Sequence, residues 1–322
     1  MEVSTREAPV AAYYSAGFWR RSVAFIVDVL LLGIVGALVG WMLFDVFARM
    51  GGYGRLLGFA VALSYFGVMN SALCGGQTLG KRLLGVRVVG KDGALLPLPQ
   101  SLLRYSVLGI PFFLNGAPFD SSVVLSPLGY VLSLLVFGGM FSILYLYVFN
   151  RKGRRSLHDL AVGSTVVAHN APLGSVRPAP VWRVHFVVVA VLLVAATIVP
   201  FFTNRLAQSD TFKDMLAAYA AVVAEPGVQS AQITRNTIYR SGSPNDEVVV
   251  ARVQLRQSRT DDGALAEHIA KLIVTKDPKA RTVSVISVQL VYGYDLGIAH
   301  GSRSHNYRFT PESLGSAGDA LP

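Results

Sequence analysis

The fold is decided by residues 17–44, GFWRRSVAFIVDVLLLGIVGALVGWMLF. Beyond Ser22 the only polar residue of this stretch is Asp28, and the apolar run is long enough to cross a hydrocarbon core of roughly 30 Å as a helix. Because the run is longer than the apolar core of a cleaved signal peptide, we interpret it as an uncleaved membrane span. Gly36 and Gly40 follow a small-x-x-x-small spacing, which permits close packing against a second helix.

An aspartate about two turns inside such a span costs about 2.5–3.5 kcal/mol on insertion scales, and more if it faces lipid. Arg21 precedes Asp28 by seven residues, which returns it to within about 20° on the helix surface. We therefore predict that Arg21 compensates Asp28, directly or through a water or a second span. Arg20 lies about 80° away from Asp28 around the helix axis and is predicted to contact lipid phosphate. Asp28 itself is either a functional ionisable group or a structural residue that caps a neighbouring helix or pairs with Arg21 to fix the helix orientation.

The composition separates a basic, apolar part from a balanced, more polar part. The mean hydropathy of +0.47 and the 15% of charged residues are unlike a single soluble globule. Residues 1–204 contain 16 lysine and arginine residues against 7 acidic ones, whereas residues 205–322 contain 13 against 12. The positive excess lies in short loops beside apolar runs, where it sets membrane topology, so nucleic-acid binding is disfavoured. Cys74 is the only cysteine, which excludes an intramolecular disulfide and a thiolate zinc cluster.

A second apolar run, residues 56–73, contains Asn70, which we predict to be a partner of the buried aspartate across the bundle. Residues 74–105 follow with five basic residues and one acidic residue, so we place them on the cytoplasmic side. Within them, the stretch Val86–Val89 and the turn at 91–93 predict a short hairpin or an interfacial loop.

Charge parity decides the number of spans. Residues 150–183 carry six basic residues and one acidic residue, so they share the cytoplasmic side with the basic loop at 81–104. The run 123–149 crosses once, and the chain returns to the same side only if residues 102–117 cross as well. The alternative is a re-entrant segment at this position, which would reverse the membrane orientation of all the segments that follow it. A fifth span at 186–202 then sends the tail outward.

The C-terminal part, residues 204–322, has the pattern of an α+β domain that is large enough to hold its own core. Helical spacing at residues 210–224 and 262–274 alternates with strand-like segments. The predicted strands are residues 228–239, 247–257, 281–292 and 306–309. The predicted fold class is therefore a membrane all-α helical bundle of about five transmembrane helices, followed by a C-terminal α+β extracytoplasmic domain.

Three stretches of this sequence resemble the RDD (Arg-Asp-Asp) family of integral membrane proteins. They are GFWRRSVAFIVDVLLL, GGQTLGKRLLGVRVVGKDG and RRSLHDLAVGSTVV, and the resemblance covers roughly residues 15–168. The family signature maps onto Arg21, Asp28 and Asp159. The resemblance implies a bacterial cytoplasmic (inner) membrane and a transport role, with sodium–proton exchange in some members. It implies nothing for the fifth span or the tail.

On these grounds we expect five consecutive parts. They are a cytoplasmic N-terminal segment (1–16), a four-span membrane domain (17–168), a cytoplasmic linker (169–183), a fifth transmembrane helix (184–203) and an extracytoplasmic domain (204–322). The chain is thus predicted to be a multi-pass protein with a cytoplasmic N-terminus.

Two functions are consistent with these residues. In the first, the chain is a transporter or a transporter subunit: Asp28 exchanges a proton or a monovalent cation, and His158 and Asp159 lie at the cytoplasmic mouth. Exchangers usually have more spans, so this function favours a homo-oligomer. In the second, the chain is an envelope scaffold: Arg21, Asp28 and Asp159 form a structural polar lock, and the tail binds an envelope protein or polymer. No catalytic constellation is visible in the sequence, so we expect neither an enzyme nor a bound cofactor or metal.

Overall fold

The computed structural model describes residues 15–174, 176, 178–239 and 246–315. Most of the predicted cytoplasmic N-terminal segment lies outside the described residues, and so do residues 175 and 177 of the predicted linker. The chain divides into two compact units. The first unit comprises the residues up to Val35 together with Arg55–Pro200, and the second comprises Gly36–Gly54 together with the residues from Phe201 onward.

Helices dominate the N-terminal part, as expected where apolar runs must satisfy their backbone hydrogen bonds internally. The helices are α1 (Phe18–Met42), α2 (Phe44–Met50), α3 (Tyr53–Met69), α4 (Leu79–Leu83), α5 (Leu98–Leu114), α6 (Ser121–Val124), α7 (Pro127–Ser133), α8 (Gly139–Phe149), α9 (Leu157–Val162), α10 (Arg183–Ala207), α11 (Asp210–Val223), α12 (Gly263–Lys276) and α13 (Pro311–Gly315). A π-helical segment, Leu134–Gly138, joins α7 to α8. The strands are β1 (Val86–Val89), β2 (Thr165–Ala168), β3 (Val228–Ile238), β4 (Asp246–Leu255), β5 (Val285–Asp295) and β6 (His300–Phe309).

Within the described residues, three helices are long and apolar enough to cross a membrane: α1, the continuous helix Pro127–Phe149, and α10. The helix α3 is apolar but has only 17 residues. The helix α5 also has 17 residues, with Pro111 inside it and Arg104 buried. At about 1.5 Å per residue, each of these two helices reaches about 26 Å, the short end of the range for a span. The first, fourth and fifth predicted spans are therefore helices of full length, whereas five crossings remain a prediction.

The two-stranded sheet is built from segments that are distant in the chain. The strands β1 and β2 pair antiparallel, with Val86 opposite Ala168 and Val89 opposite Thr165. Of the two alternatives predicted for this segment, the short hairpin is wrong, because β1 takes its partner from the segment after α9. The valines of both strands are at most 2% exposed. Their burial holds the loop before α5 against the segment that follows α9.

The second unit contains a four-stranded sheet in the order β3-β4-β5-β6. The outer pairs are antiparallel, and β4 pairs parallel with β5. A parallel pair needs a crossover connection, which α12 supplies. The helices α11 and α12 pack together and against the sheet, and Ile269, Ile273, Val288 and Leu290 are fully buried in the core. The sheet-containing α+β fold predicted for this region is confirmed, although β6 is longer than the predicted strand.

Gly36 and Gly40 of α1 pack against the C-terminal domain. A Cβ on Gly36 would lie 2.9 Å from Ala299 Cβ, and a Cβ on Gly40 would lie 2.0 Å from Tyr294 Oη. We expected this spacing to serve contact with a second helix. Instead, residues at the end of β5 and in the turn before β6 fill the surface that the glycines leave open. Phe47 of α2 is buried beside the Tyr294 ring at a centroid distance of 5.8 Å, so α2 and the end of β5 form a second, smaller apolar cluster in this unit.

Candidate functional site

Asp28 is fully buried on α1. Its Oδ1 accepts hydrogen bonds from the Tyr65 hydroxyl at 2.7 Å and from the Gly80 backbone N–H at 2.8 Å. Its Oδ2 accepts a hydrogen bond from the Thr78 hydroxyl at 2.5 Å. Across the part of the chain that the structure describes, no lysine, arginine or histidine is within ion-pair distance of this carboxylate. Asp28 is therefore held by neutral donors.

The short helix α4 brings two of these donors to the carboxylate. Thr78 caps α4, because its Oγ1 accepts a hydrogen bond from the Lys81 N–H at 3.3 Å. Gly80 allows α4 to approach α1 closely, since a Cβ at this position would lie 2.1 Å from the Ala24 carbonyl oxygen. The sequence Thr-Leu-Gly-Lys thus fits α4 against the helix that carries Asp28.

Lys81 lies one hydroxyl group away from the carboxylate, with its Nζ 3.5 Å from Thr78 Oγ1. The residue is half-buried and belongs to the loop between α3 and α5, outside the predicted spans. Burial and the charge of Arg104 lower the pKa of its ammonium to about 7, while Asp28 and Asp159 act in the opposite direction. Lys81 is therefore able to take up and release a proton near neutral pH.

Asp159 of α9 is the centre of a separate ion cluster and is fully buried. Arg21 Nη2 lies 2.9 Å from Asp159 Oδ2, and Arg104 Nη2 lies 2.7 Å from Asp159 Oδ1. The Ser164 hydroxyl donates to Oδ1 at 3.1 Å, and the Ser156 N–H donates to Oδ2 at 3.3 Å. Because Arg21 lies on α1 and Arg104 on α5, the cluster ties two helices of the membrane domain to α9.

Two guanidinium groups keep Asp159 ionised. Burial raises the pKa of this carboxyl, but the charges of Arg104 and Arg21 outweigh burial and hold the pKa well below its usual range. His158 Nε2 lies 3.6 Å from Asp159 Oδ2. Burial lowers the pKa of His158 to about 3, so this imidazole is neutral at physiological pH. Asp159 is thus a permanent anion of the cluster.

The structure brings three of the predicted site residues, Arg21, His158 and Asp159, into one cluster. The predicted compensation of Asp28 by Arg21 is wrong, because the Arg21 guanidinium binds Asp159 instead. Helix geometry places Arg21 and Asp28 on one face, but a long side chain at the start of a helix is free to turn toward a partner from another segment. Asp28 consequently occupies a site of its own.

Asn70 is also not a partner of Asp28. It follows α3 and is buried, and its Nδ2 donates to the Phe66 carbonyl at 2.7 Å. Its Oδ1 has no hydrogen-bond partner among the described residues. Asn70 therefore ends α3 instead of bridging the bundle.

Sequence reasoning did not assign a role to four residues of these sites. They are Tyr65, Thr78, Lys81 and Arg104. For Arg104 a signal exists, because it interrupts an apolar run, and an ionisable residue in such a run is a functional candidate. Tyr65 of α3 and Thr78 reach Asp28, and Lys81 reaches Thr78, only because α3 and α4 fold onto α1, which leaves no local signal.

The described residues combine helices that are long and apolar enough to cross a membrane with two buried carboxylate sites in the N-terminal part. Residues 15–163 match the model of the RDD family, as the three stretches predicted. The match includes Arg21, Asp28 and Asp159. The chain is also similar to the protein named "Uncharacterized protein YckC" from Bacillus subtilis (strain 168), with 25% identity over 154 residues, 48% of this chain and 85% of that protein.

Proposed function

We propose that the membrane domain takes part in proton- or cation-coupled transport, with Asp28 as the exchanging carboxylate. The observation that carries this proposal is the difference between the two buried carboxylates. Asp159 is fixed by two guanidinium groups, whereas Asp28 receives two hydroxyl groups and one backbone N–H. An acid without a cation costs about 2.5–3.5 kcal/mol inside a membrane on insertion scales, and reversible binding of a proton or cation is a reason to retain it.

Hydroxyl donors suit a carboxyl group that changes its protonation state. Each hydroxyl has one donor and two acceptor positions. Tyr65 and Thr78 are therefore able to donate to the ionised form of Asp28 and to accept from its protonated form. Carboxylate and hydroxyl oxygens are also ligands that hard cations prefer. A proton and a monovalent cation would then compete for one site.

Lys81 supplies a route by which a proton reaches this site. Lys81 Nζ lies 3.5 Å from Thr78 Oγ1, and Thr78 Oγ1 lies 2.5 Å from Asp28 Oδ2. The pKa of Lys81 is about 7, so the loop side of the route exchanges protons at the pH of the cytoplasm. We infer that protons pass between Lys81 and Asp28 through the Thr78 hydroxyl.

The proposal also includes a membrane topology and an oligomeric state. The basic residues in the loops 81–104 and 150–183 support a cytoplasmic side for these loops, and five spans would carry the C-terminal domain to the other side. Exchangers usually have more spans than this chain, often as repeats. We therefore infer that the protein works as a homo-oligomer or as one subunit of a transporter in the bacterial inner membrane, without enzymatic activity of its own.

The Asp159 cluster favours a second candidate function, a non-transporting envelope scaffold. Three charged side chains, none more than 8% exposed, join helices from distant parts of the chain. Such a cluster specifies one arrangement of helices whether or not anything is transported. In this function the C-terminal domain would bind an envelope protein or polymer, and Asp28 would serve only to hold α4.

The experiment that separates the two is reconstitution of the full chain into proteoliposomes, with internal pH followed during a cation pulse. Asp28→Asn keeps the size of the side chain and removes its charge, and the exposed Asp120→Asn is the matched control. The proposal predicts that Asp28→Asn abolishes the pH change, while its expression and oligomeric state match the wild type. Retained pH change in Asp28→Asn contradicts the proposal, and loss of the protein from the membrane favours the scaffold.

A further inference from the structure

A pocket of about 360 Å³ opens where α1 begins and α8 ends. It is lined by Phe18, Arg21, Tyr147, Val148, Arg151 and Arg154. We propose that this pocket binds the phosphate group of an anionic membrane lipid. Its volume lies within the range of small-molecule sites, roughly 300–1,000 Å³, and its position at the ends of two long apolar helices corresponds to the membrane surface.

The charge of the pocket fits a phosphate. Within the described residues, Arg151 and Arg154 make no ion pair with a carboxylate. The third arginine, Arg21, shares Asp159 with Arg104, so the acid nearest to the pocket is already neutralised. The rim therefore keeps a positive excess of two guanidinium groups. Guanidinium groups bind phosphate oxygens in pairs, which gives both affinity and orientation.

The apolar wall of the pocket fits a lipid better than a free phosphate. The rings of Phe18 and Tyr147 lie 5.1 Å apart, and the Arg21 guanidinium carbon lies 5.4 Å from the centre of the Tyr147 ring. Trp19, the next residue on α1, is 76% exposed, as is usual for an aromatic residue at the membrane interface. A lipid would use both the charged rim and the apolar wall, whereas inorganic phosphate would use only the rim.

The loop after α8 holds Arg154 in an unusual conformation. Its φ of 47° lies in the left-handed region, and it is the one non-glycine residue with positive φ among the described residues. The Arg154 N–H donates to the Asn150 carbonyl at 2.7 Å, and Asn150 Nδ2 donates to the Arg155 carbonyl at 2.9 Å. The turn is therefore fixed, and glycine is the residue that best tolerates this φ. Arg154→Gly removes the guanidinium without a backbone penalty.

The test uses the purified full-length chain in neutral phosphatidylcholine nanodiscs, to which phosphatidylglycerol is added, with retained lipid counted by native mass spectrometry. We expect the wild type to retain phosphatidylglycerol selectively. Arg151→Gln and Arg154→Gly should each lower its affinity about tenfold, because each removes a direct charge-assisted hydrogen bond to the phosphate. The control Lys152→Gln removes a charge from the same loop without touching the pocket, and it should bind like the wild type.

Further samples receive inorganic phosphate, either instead of phosphatidylglycerol or in excess over it, and the thermal stability of all samples is measured as well. Selective lipid retention that phosphate does not displace supports the proposal. Stabilisation by phosphate that equals stabilisation by the lipid overturns the lipid assignment. Equal retention by the arginine variants and Lys152→Gln overturns the site. Because none of these readouts measures transport, they are independent of the exchange proposed for Asp28.

Discussion

Asp159→Asn is expected to destabilise the membrane domain strongly. The substitution keeps the size of the side chain but removes the charge at the centre of the ion cluster. Arg21 and Arg104, whose side chains are 6% and 8% exposed, would then be buried without a counterion. Removing one partner of a buried ion pair costs about 3–5 kcal/mol. This corresponds to a loss of roughly two to four orders of magnitude in the ratio of folded to unfolded protein.

The free energy of unfolding is measured by titrating SDS into the purified chain in mixed micelles and following helix content by circular dichroism. Asp120→Asn is the matched control: Asp120 is exposed and caps α6 by accepting the Ser122 N–H at 2.7 Å, and asparagine caps a helix about as well. The control should stay within about 0.5 kcal/mol of the wild type. A loss below about 1 kcal/mol for Asp159→Asn would show that the cluster does not hold the fold together, because it is too small for a broken buried ion pair.

Two further predictions concern Lys81 and Gly40. The pKa of Lys81 is about 7 in the folded protein, against about 10.4 in an unfolded chain. Between about pH 7 and about pH 10.4 the unfolded state binds more protons, so the free energy of unfolding should rise as the pH rises. Lys81→Met should reduce this dependence of the unfolding free energy on pH, and the exposed Lys91→Met should leave it unchanged. The same pH dependence in both variants would contradict the burial of Lys81. Gly40→Ala places a Cβ 2.0 Å from Tyr294 Oη and should cost about 1–3 kcal/mol, whereas Gly263→Ala, whose Cβ would meet only Tyr307 at an ordinary 3.5 Å, should not be destabilising. Thermal unfolding measures this cost, and equal melting temperatures would contradict the packing.

The sequence predicted which residues are buried and charged better than it predicted their partners. Asp28 was recognisable because an acid inside an apolar run is costly. Its predicted partner was Arg21, because local helix geometry relates only residues of one helix. The actual donors come from α3 and from the segment that begins α4. Contacts of this kind depend on how distant segments fold together, which a single sequence does not encode in its local spacing.

The same distinction holds for the strands. The strands β3 and β4 alternate apolar and polar residues, and both were predicted nearly to their ends. The strand β6 reads HGSRSHNYRF and is mostly exposed at the edge of its sheet, so it lacks the alternation that reveals a half-buried strand. The strand β1 was recognised by its valines, but its pairing with β2 was not, because register between distant segments has no local signal.

The claim on which this account rests is that Asp28 changes its protonation state in the folded protein. Infrared difference spectroscopy of the reconstituted chain, as the pH is lowered and a monovalent cation is added, measures this directly through the carbonyl stretch of a protonated carboxylic acid. We predict that a component of this band appears as the pH falls, is reduced by the cation and is missing from Asp28→Asn. A band that is the same in the wild type and in Asp28→Asn would show that Asp28 does not titrate and would contradict the account.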